Sequence, residues 1–326
     1  MRKGFTTGTA AAAAAKAHAV YIMSGTAADH TDVVLPDGSR MCIPVSCSAE
    51  GAFAVKDSGD DPDVTHKAEI HASVQVNSGG RIEILGGRGV GRVTKAGLQI
   101  PVGEAAINPV PRMMIEQNVR EIIGKANGAI ITISVPDGER LAALTFNERI
   151  GIIGGISIIG TTGIVHPMSV DALVDSFKCE IDVKLAENRH IALVAGKIGE
   201  KHLQSIHTDA EAVMVSNYFG EAFSYLRSKG ISEITLAGHP GKLAKLAMGH
   251  YNTHSGVSPQ AQGFVGEALG LHRDFNTVEE ICLTHPEGFG RIAELISGRV
   301  RADFGFHKTD VLLFNMKGDL IGVYNA

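Results

Sequence analysis

The second half of the chain contains short apolar runs that each stop at a glycine or a small polar turn. The runs cover residues 150–153, 190–195, 212–215 and 231–237. Strands that are buried on both faces of a parallel sheet show such uninterrupted apolar runs. Segments with helical character follow the runs, which is the order of β-α-β units. The pattern therefore predicts an α/β region with an open, mostly parallel sheet.

The first half has a different pattern of strands and turns. Pro36-Asp37-Gly38 and Pro136-Asp137-Gly138 each separate two strand-like segments, which predicts two hairpins, 32–36 with 40–45 and 129–135 with 140–146. One helix is expected over 113–124, where apolar side chains recur at helical spacing. We therefore predict an α+β N-terminal domain over residues 1–148 and an α/β C-terminal domain over residues 149–326.

Charge and composition exclude several classes of function. The 30 Lys and Arg residues against 35 Asp and Glu give a formal net charge of −5, so no basic field favours nucleic acid. The longest uncharged stretch, residues 150–165, is too short and too rich in glycine to span a membrane. Arg2 and the alanine run from Ala10 resemble a signal peptide, but Lys16 interrupts that run. The four cysteines form no C-x-x-C pair, and we expect reduced, buried thiols in a cytoplasmic protein.

Loops that follow the apolar runs are candidates for a nucleotide-like ligand, because ligands of α/β sheets bind at the carboxyl ends of strands. The candidate residues are Gly154, Gly155, Thr161, Thr162, Gly163, Gly196, Asn217, Gly238 and His239. No loop matches G-x-G-x-x-G or the Walker A motif, which disfavours a dinucleotide dehydrogenase and a P-loop ATPase. For any single loop, a glycine that only ends a strand or caps a helix is the alternative.

Two charged segments of the first half are candidates for chemistry. The acidic run from Lys56 to Asp63 contains Asp57, Asp60 and Asp61, and either holds a cation or forms a solvated turn. A glycine-rich loop carries three cations, and a fourth follows further along the chain; they are Arg88, Arg92, Lys95 and Arg112. Such cations suit a ligand with several carboxylates, although a mobile surface loop is the alternative. His254 and its neighbouring histidines lack a zinc motif, so we expect no protein-bound metal.

Six segments resemble the CbiD family closely and in the same order. They are GFTTGT from Gly4, KDSGDDPDVTH from Lys56, GGRGVGRVTKAGLQIPVGEAAINPVPR from Gly86, GIIGGISIIGTTGIVHPMS from Gly151, GHPGKLAKLA from Gly238 and NTHS from Asn252. The resemblance runs from residue 4 to about 255 and weakens after Ser255. Two smaller departures are Ala10, where the family often has Cys, and Lys67, where Gly is usual.

The resemblance implies transfer of a methyl group from S-adenosylmethionine to C-1 of a cobalt-bearing, ring-contracted tetrapyrrole. Cobalt then arrives with the substrate. On this basis we assign substrate binding to Thr6, Thr7, Arg88, Arg92, Lys95 and Arg112, and donor binding to the strand-end loops named above. Asp57, Asp60, Asp61 and His254 are the candidates for proton removal. A non-catalytic carrier of tetrapyrrole or cobalt is the alternative, fold alone would also allow a nucleotide-dependent oxidoreductase, and a homodimer is the expected assembly.

Overall fold

A computed structural model describes residues 1–187, 190–206 and 210–326. Contacts between Cα atoms divide the chain into two compact units, Met1–Ser169 and Val170–Ala326. Both units contain helices and strands, as the mixed α/β pattern predicts. The dividing point lies after the whole glycine-rich segment 150–165, whereas the change in sequence pattern lies before it. No helix within the described part of the chain is long and apolar enough to cross a membrane.

The first unit, unit 1, is built on a five-stranded sheet with two long helices on one of its faces. Its helices are α1 (Thr7–Ser24), α2 (Pro109–Ile123) and α3 (Gly138–Ala142), with a 3-10 turn at Glu148–Ile150. Its strands are β1 (Gly4–Phe5), β2 (His30–Val34), β3 (Arg40–Pro44), β4 (Ser46–Cys47), β5 (Ala52–Val55), β6 (Glu69–Asn77), β7 (Ile82–Gly86), β8 (Gly89–Val90), β9 (Arg92–Val93), β10 (Gly128–Ser134), β11 (Ile152–Ile153), β12 (Gly155–Ile156) and β13 (Ile164–Val165). The large sheet has the order β4-β5-β6-β10-β7.

Helix α1 packs against β5, β6 and α2 through its alanines, which are completely buried from Ala10 to Ala15. Small side chains let the helix backbone approach the sheet closely. Lys16 is buried as well, and its Nζ donates to Glu121 Oε2 at 2.6 Å and to the carbonyl of Asp32 at 2.6 Å. The lysine that interrupts the alanine run therefore has partners inside the folded unit.

The two predicted hairpins have different outcomes. The first is confirmed, because β2 and β3 pair in antiparallel register. The second is wrong, since the chain after β10 turns into helix α3 with Leu141 and Ala142 buried. Strand β10 already pairs with β6 on one side and β7 on the other, so no edge is left for a hairpin partner.

The second unit, unit 2, surrounds another five-stranded sheet. Its helices are α4 (Val170–Glu187), α5 (Lys197–Leu203), α6 (Phe219–Ser228), α7 (Pro240–Ala247), α8 (Gln262–Ala268), α9 (Val278–Thr284) and α10 (Phe289–Phe304), with a 3-10 turn at Pro286–Gly288. Its strands are β14 (Ile191–Val194), β15 (Glu211–Met214), β16 (Glu233–Gly238), β17 (Lys308–Phe314) and β18 (Leu320–Tyr324). The order is β15-β14-β16-β17-β18, in which three pairs are parallel and the pair β17-β18 is antiparallel.

Both faces of this sheet are covered, which explains the uninterrupted apolar runs. Ile191 and Leu193 point into a large core with α4, α6, α7, α9 and α10, whereas Ala192 and Val194 pack against Leu203 of α5 on the other face. Strand β14 lies between β15 and β16 in the sheet. The chain connects β14 to β15 on one side, and it connects β16 to β17 on the other. The carboxyl ends of β14 and β16 therefore border a switch point, the place where ligands bind in sheets of this order.

Candidate functional site

The acidic loop of unit 1 is fastened to the N-terminal residues. The amide of Phe5 donates to the carbonyl of Asp57 at 2.7 Å, and the amide of Asp60 donates to the carbonyl of Arg2 at 3.0 Å. A Cβ on Gly59 would overlap the carbonyl of Arg2, and Gly59 also has φ of 65°, so both space and backbone conformation require glycine there. The two segments are therefore one structural element of unit 1.

The carboxylates predicted as proton acceptors have structural partners. Asp57 forms a bidentate ion pair with the Arg2 guanidinium, which holds the pKa of this carboxyl at about 2. Asp60 Oδ2 accepts from the amide of Arg2 at 2.6 Å, and Asp61 Oδ1 accepts from the amide of Met168 at 2.9 Å. A carboxylate with so low a pKa is a poor base near neutral pH, which weakens the case for Asp57. The catalytic role of the other two stays a prediction.

An ion pair between buried Lys56 and half-buried Asp63 in the same loop is the feature that the sequence analysis missed. Lys56 Nζ, on a side chain only 3% exposed, contacts Asp63 Oδ2 and donates to Ser58 Oγ at 2.8 Å. Asp63 Oδ1 accepts from both the amide and the hydroxyl of Thr65. The sequence does indicate an ion pair, because a single lysine precedes a run of carboxylates. It does not indicate which of these carboxylates the lysine contacts.

Lys67 follows this loop, at the position where the resembling family usually has glycine. Its φ is 65°, in the left-handed region that glycine adopts without steric cost. The structure thus gives a physical reason for glycine there, and the lysine of this chain adopts the same backbone conformation at some cost in energy.

Thr6 and Thr7, predicted to bind substrate, hold the segment 159–163 in place. Thr6 caps helix α1 by accepting from the amide of Thr9 at 3.2 Å. Thr7 Oγ1 accepts from the amide of Ile159 at 2.9 Å, and Thr9 Oγ1 donates to the carbonyl of Gly163 at 2.7 Å. These contacts bring the predicted substrate residues next to Thr161, Thr162 and Gly163, the first two of which are exposed.

The interpretation of residues 150–153 as the first strand of the parallel sheet is wrong. Strand β11 pairs with β9 in antiparallel register, and β12 pairs with β8 in parallel register. Gly154, Gly155 and the loop 161–163 therefore belong to unit 1, and the two glycines lie beside the glycine-arginine loop. A Cβ on Gly155 would overlap the backbone of Gly89, so close approach of two chains explains this glycine. Binding of a methyl donor by these residues stays a prediction.

The four predicted substrate cations have different surroundings. Arg112 donates from its guanidinium to the carbonyls of Ile107 at 2.9 Å, Ile84 at 3.0 Å and Ala105 at 3.4 Å, which fixes the loop before α2. Arg92 donates to the carbonyl of Gly103, and the Lys95 stem lies where a Cβ on Gly151 would be. All three contribute to the local structure of unit 1.

Arg88 is exposed, and it lines a cavity of about 270 Å³ on the face of the large sheet opposite the helices. Ser73, Thr132 and Ser134 line the same cavity from β6 and β10. Within the described residues, neither the Arg88 guanidinium nor these three hydroxyls form a hydrogen bond. One cation and three hydroxyls can together bind a carboxylate.

The switch point of unit 2 contains two of the predicted donor residues, Gly196 and Gly238, at the ends of β14 and β16. Gly196 has an extended backbone, and among the described residues a Cβ there would meet no atom within 4 Å, so neither strain nor a described neighbour requires glycine. In contrast, a Cβ on Gly199 would overlap the carbonyl of Ala237, which shows how closely α5 packs on β16. Open space above Gly196 leaves room for a ligand to approach its backbone.

Asn217 follows β15 and holds the NTHS segment. Its carbonyl accepts from the amide of Thr253 at 2.9 Å, and its Oδ1 is 3.2 Å from Thr253 Oγ1. His254 is exposed, and its Nδ1 accepts from the amide of Gly256 at 3.1 Å. Buried Lys245 supports the segment by donating to the carbonyl of Thr253 at 3.0 Å and to Ser258 Oγ at 3.0 Å. Asn217 and His254 therefore lie on two loops that hydrogen bonds hold together, and their predicted roles stay predictions.

His239 caps helix α7 and has both ring nitrogens occupied. Nδ1 accepts from the amide of Gly241 at 3.0 Å, so Nε2 carries the proton and donates it to Glu279 Oε2 at 2.8 Å. Cys282 completes a group of three possible metal ligands. A metal on Nε2 would displace that proton while Nδ1 still faces an N–H donor, which requires an imidazolate. This hydrogen-bond pattern argues against a metal at His239.

All four cysteines are free, but the expectation that they are buried holds only for Cys282; Cys42 and Cys179 are exposed and Cys47 is half-buried. Burial, with the nearby Glu279 carboxylate, raises the pKa of Cys282 to about 12. We expect iodoacetamide at pH 8 to alkylate Cys42 in the native protein and to leave Cys282 unmodified until denaturant is added. Peptide mass spectrometry measures both, and rapid native alkylation of Cys282 would contradict the prediction.

The CbiD family model matches residues 1–167. Cobalt-precorrin-5B C(1)-methyltransferases of Salmonella arizonae and Salmonella typhimurium are each 40% identical to this chain, over 99% of it and 92% of their own length. The chain belongs to the CbiD family. The alignments extend the similarity well past residue 255. A crystal structure of a cobalamin biosynthesis protein (cbiD) from Archaeoglobus fulgidus is 30% identical and covers 78% of this chain and 82% of its own, with a TM-score of 0.44.

The part of the chain that the CbiD family model matches corresponds to unit 1, which ends at Ser169. It contains the N-terminal threonines, the acidic loop, the glycine-arginine loop and the segment 150–165. Hydrogen bonds and short strand pairs connect these four segments, as described above. The motifs that carry the CbiD resemblance in unit 1 are therefore neighbours in the fold.

Unit 2 of this CbiD family member also contains an open cavity of about 630 Å³. Tyr225, Tyr251 and Phe304 line it with Lys178 and Glu221. Tyr225 donates to Asp182 at 2.7 Å and Tyr251 donates to Asp303 at 2.5 Å, so both rings are held in place. Aromatic walls of this kind can contact a flat or apolar group. Asn252 also lines the cavity, next to the Thr253 that contacts Asn217.

Proposed function

We propose that this protein methylates C-1 of cobalt-precorrin-5B with S-adenosylmethionine as the methyl donor, giving cobalt-precorrin-6A and S-adenosylhomocysteine. The observation that carries the proposal is 40% identity over 99% of the chain to cobalt-precorrin-5B C(1)-methyltransferases. Agreement over this length includes both units, so the proposal concerns a complete methyltransferase activity. The carrier alternative receives no support from the names of these relatives.

The donor is assigned to the carboxyl edge of the sheet in unit 2. Gly196 and Gly238 end adjacent parallel strands there, and the open space above Gly196 supports the assignment. Asn217 follows the neighbouring strand β15 and orders the loop that carries His254. His239 contributes by fixing the start of α7, because its ring nitrogens are already bonded. These residues shape a crevice in which the donor can be oriented.

The tetrapyrrole is assigned to unit 1, with Arg88 as the residue that binds one of its carboxylates. Corrin precursors carry many acetate and propionate groups, and the Arg88 cavity offers a cation with three hydroxyls that have no partner within the described residues. Arg92, Lys95 and Arg112 support this site by fixing the loops around it. Thr6 and Thr7 do the same for the segment 159–163.

The reaction breaks the bond between the methyl carbon and the sulfonium sulfur and forms a bond from that carbon to C-1. No side-chain nucleophile is required, so the contribution of the protein is orientation of the two reactants and exclusion of water. A proton is lost as the macrocycle rearranges, and Asp60, Asp61 and His254 are the candidate acceptors. Asp57 is the weakest of the four candidates because its pKa is about 2.

The proposal is tested by anaerobic incubation of the protein with cobalt-precorrin-5B, with and without S-adenosylmethionine, followed by mass spectrometry of the tetrapyrrole. A gain of one methyl group that depends on the donor is the expected result. Binding of the tetrapyrrole without any gain of mass would overturn the proposal and favour a carrier. The cytoplasmic location and the homodimer stay predictions, and gel filtration with light scattering tests the second.

A further inference from the structure

Lys242 lies at the switch point of unit 2, in the first turn of helix α7. Its side chain is half-buried, and its Nζ donates to the carbonyl of Ala195 at 3.3 Å. Ala195 ends the run that forms β14 and precedes Gly196, above which the structure leaves open space. The ammonium group is therefore located at the crevice between the ends of β14 and β16.

Few groups in the described part of the chain stabilise the positive charge of Lys242. Cations are unfavourable in the first turn of a helix, where the helix dipole is positive. Burial lowers the pKa of Lys242, and the charge of Lys245 lowers it further. Among the described residues no carboxylate lies at ion-pair distance from Nζ, and the carbonyl of Ala195 is its one hydrogen-bond acceptor.

Lys245 shows what a structural lysine looks like in the same helix. It is buried, and its Nζ donates to two acceptors that hold the NTHS segment in place. Lys242 connects no second loop in this way. Its single long hydrogen bond joins α7 to the end of β14. These two elements already share an apolar core that contains Leu243 and Ala195, so the fold does not explain the charge.

We propose that Lys242 binds a carboxylate of a ligand at the switch point. The inference rests on the proposed function, in which both reactants carry carboxylates: the methionine part of S-adenosylmethionine has one, and the tetrapyrrole has several. An anion there would neutralise the ammonium group, and a half-buried position strengthens such an interaction relative to water.

The test compares the wild type with Lys242→Gln, which keeps a donor for the Ala195 carbonyl but removes the charge. Lys317→Gln is the matched control, because Lys317 is exposed on the turn before β18 and loses the same charge. The probes for calorimetry are S-adenosylhomocysteine and its decarboxylated analogue, which lacks only the carboxylate. We expect Lys242→Gln to weaken S-adenosylhomocysteine about tenfold and the analogue hardly at all.

A second measurement identifies the source of the carboxylate. If S-adenosylhomocysteine binds both proteins equally but the KM for cobalt-precorrin-5B rises about tenfold, Lys242 binds the tetrapyrrole. If neither ligand distinguishes the variant from the control, the proposal is overturned. Failure of the wild type to bind S-adenosylhomocysteine would instead count against the donor role in the proposed function, because that result involves no variant.

The stability of the unliganded protein separates a binding role from a structural one. Because the folded state lowers the pKa of Lys242, its charge opposes folding at neutral pH, and Lys242→Gln should keep or raise the midpoint of urea unfolding. A lower midpoint together with equal losses for S-adenosylhomocysteine and its decarboxylated analogue would show a structural residue and overturn the proposal.

Discussion

Replacing Asp63 with Ala is expected to destabilise unit 1 by about 3 kcal/mol, the lower end of the cost of breaking a buried ion pair. The variant leaves the Lys56 ammonium group, 3% exposed, without its counter-charge, and removes the acceptor of the Thr65 amide and hydroxyl. Burial lowers the pKa of Lys56 although Asp63 raises it, which shows how unfavourable the charge is at this position. Urea unfolding followed by circular dichroism measures the loss.

Two further variants make this prediction specific. Lys56→Met in the Asp63→Ala background should recover much of the lost stability, because the buried charge disappears with its partner. Asp137→Ala is the matched control, since Asp137 pairs with Arg140 at 3.0 Å on the surface with both side chains about two-thirds exposed. For Asp137→Ala we expect the free energy of unfolding to change by about 0.5 kcal/mol or less. Equal losses for Asp63→Ala and Asp137→Ala would refute the role of burial.

Low pH should destabilise unit 1 through the acidic loop that contains Asp57 and Asp63. Burial alone would raise the pKa of Asp63, but the Lys56 charge and the Thr65 hydrogen bonds outweigh it and place the pKa below the ordinary value. Arg2 holds the pKa of Asp57 at about 2. Both carboxylates therefore stabilise the fold above their ordinary pKa, and this stability is lost as the pH falls through the folded-state values. Acid titration of Asp63→Ala should accordingly show a weaker pH dependence than the wild type.

The parts of the fold that the sequence predicts are those set by local pattern. The hairpin β2-β3 follows from a turn between two strand-like segments, and β14 and β16 follow from apolar runs that both faces of a sheet must bury. The second hairpin fails because β10 has no free edge. That fact depends on β6 and β7, which lie more than 40 residues earlier in the chain.

Residues 150–165 are a stronger example of a segment whose pairing the local sequence pattern does not predict. Isoleucines followed by glycines look like a buried parallel strand, yet Ile152 is 3% exposed and Ile153 is 53% exposed. The cause is their antiparallel pairing with Val93 and Arg92, which no local pattern reveals. The glycines are required by contacts with equally distant segments, such as Gly155 against Gly89. Their composition was visible in the sequence, but the reason for it was not.

The roles of the charged residues in the candidate site also depend on partners that are distant in the sequence. The sequence indicates that carboxylates are concentrated at 57–63 and cations at 88–112, but their availability depends on partners elsewhere. Asp57 is paired with Arg2, and Asp61 accepts a hydrogen bond from the amide of Met168. Arg112 donates hydrogen bonds to three backbone carbonyls. Of the four predicted substrate cations, Arg88 lines the cavity of about 270 Å³ and has a side chain without a hydrogen bond in the described part of the chain. The structure thus narrows a list of residue types to one testable side chain.

Arg88→Gln is expected to raise the KM for cobalt-precorrin-5B about a hundredfold while kcat at saturating substrate changes little. The guanidinium can form two parallel hydrogen bonds with a carboxylate, and the loss of both corresponds to about 3 kcal/mol. Because the Arg88 side chain forms no hydrogen bond or ion pair within the described part of the chain, its replacement should leave the unfolding midpoint unchanged. Steady-state kinetics at several substrate concentrations, with the unfolding midpoint measured alongside, gives all three quantities.

Two variants decide whether the Arg88 cavity itself binds the carboxylate. Arg140→Gln removes a cation from the exposed surface of unit 1 and should leave the KM unchanged, so a hundredfold effect at Arg88 cannot come from net charge alone. Glu50 lines the same cavity and should repel a bound carboxylate, which means that Glu50→Gln should lower the KM. If Arg88→Gln and Arg140→Gln behave alike, the tetrapyrrole does not use this cavity. If Glu50→Gln raises the KM, the carboxylate is not the group that enters it.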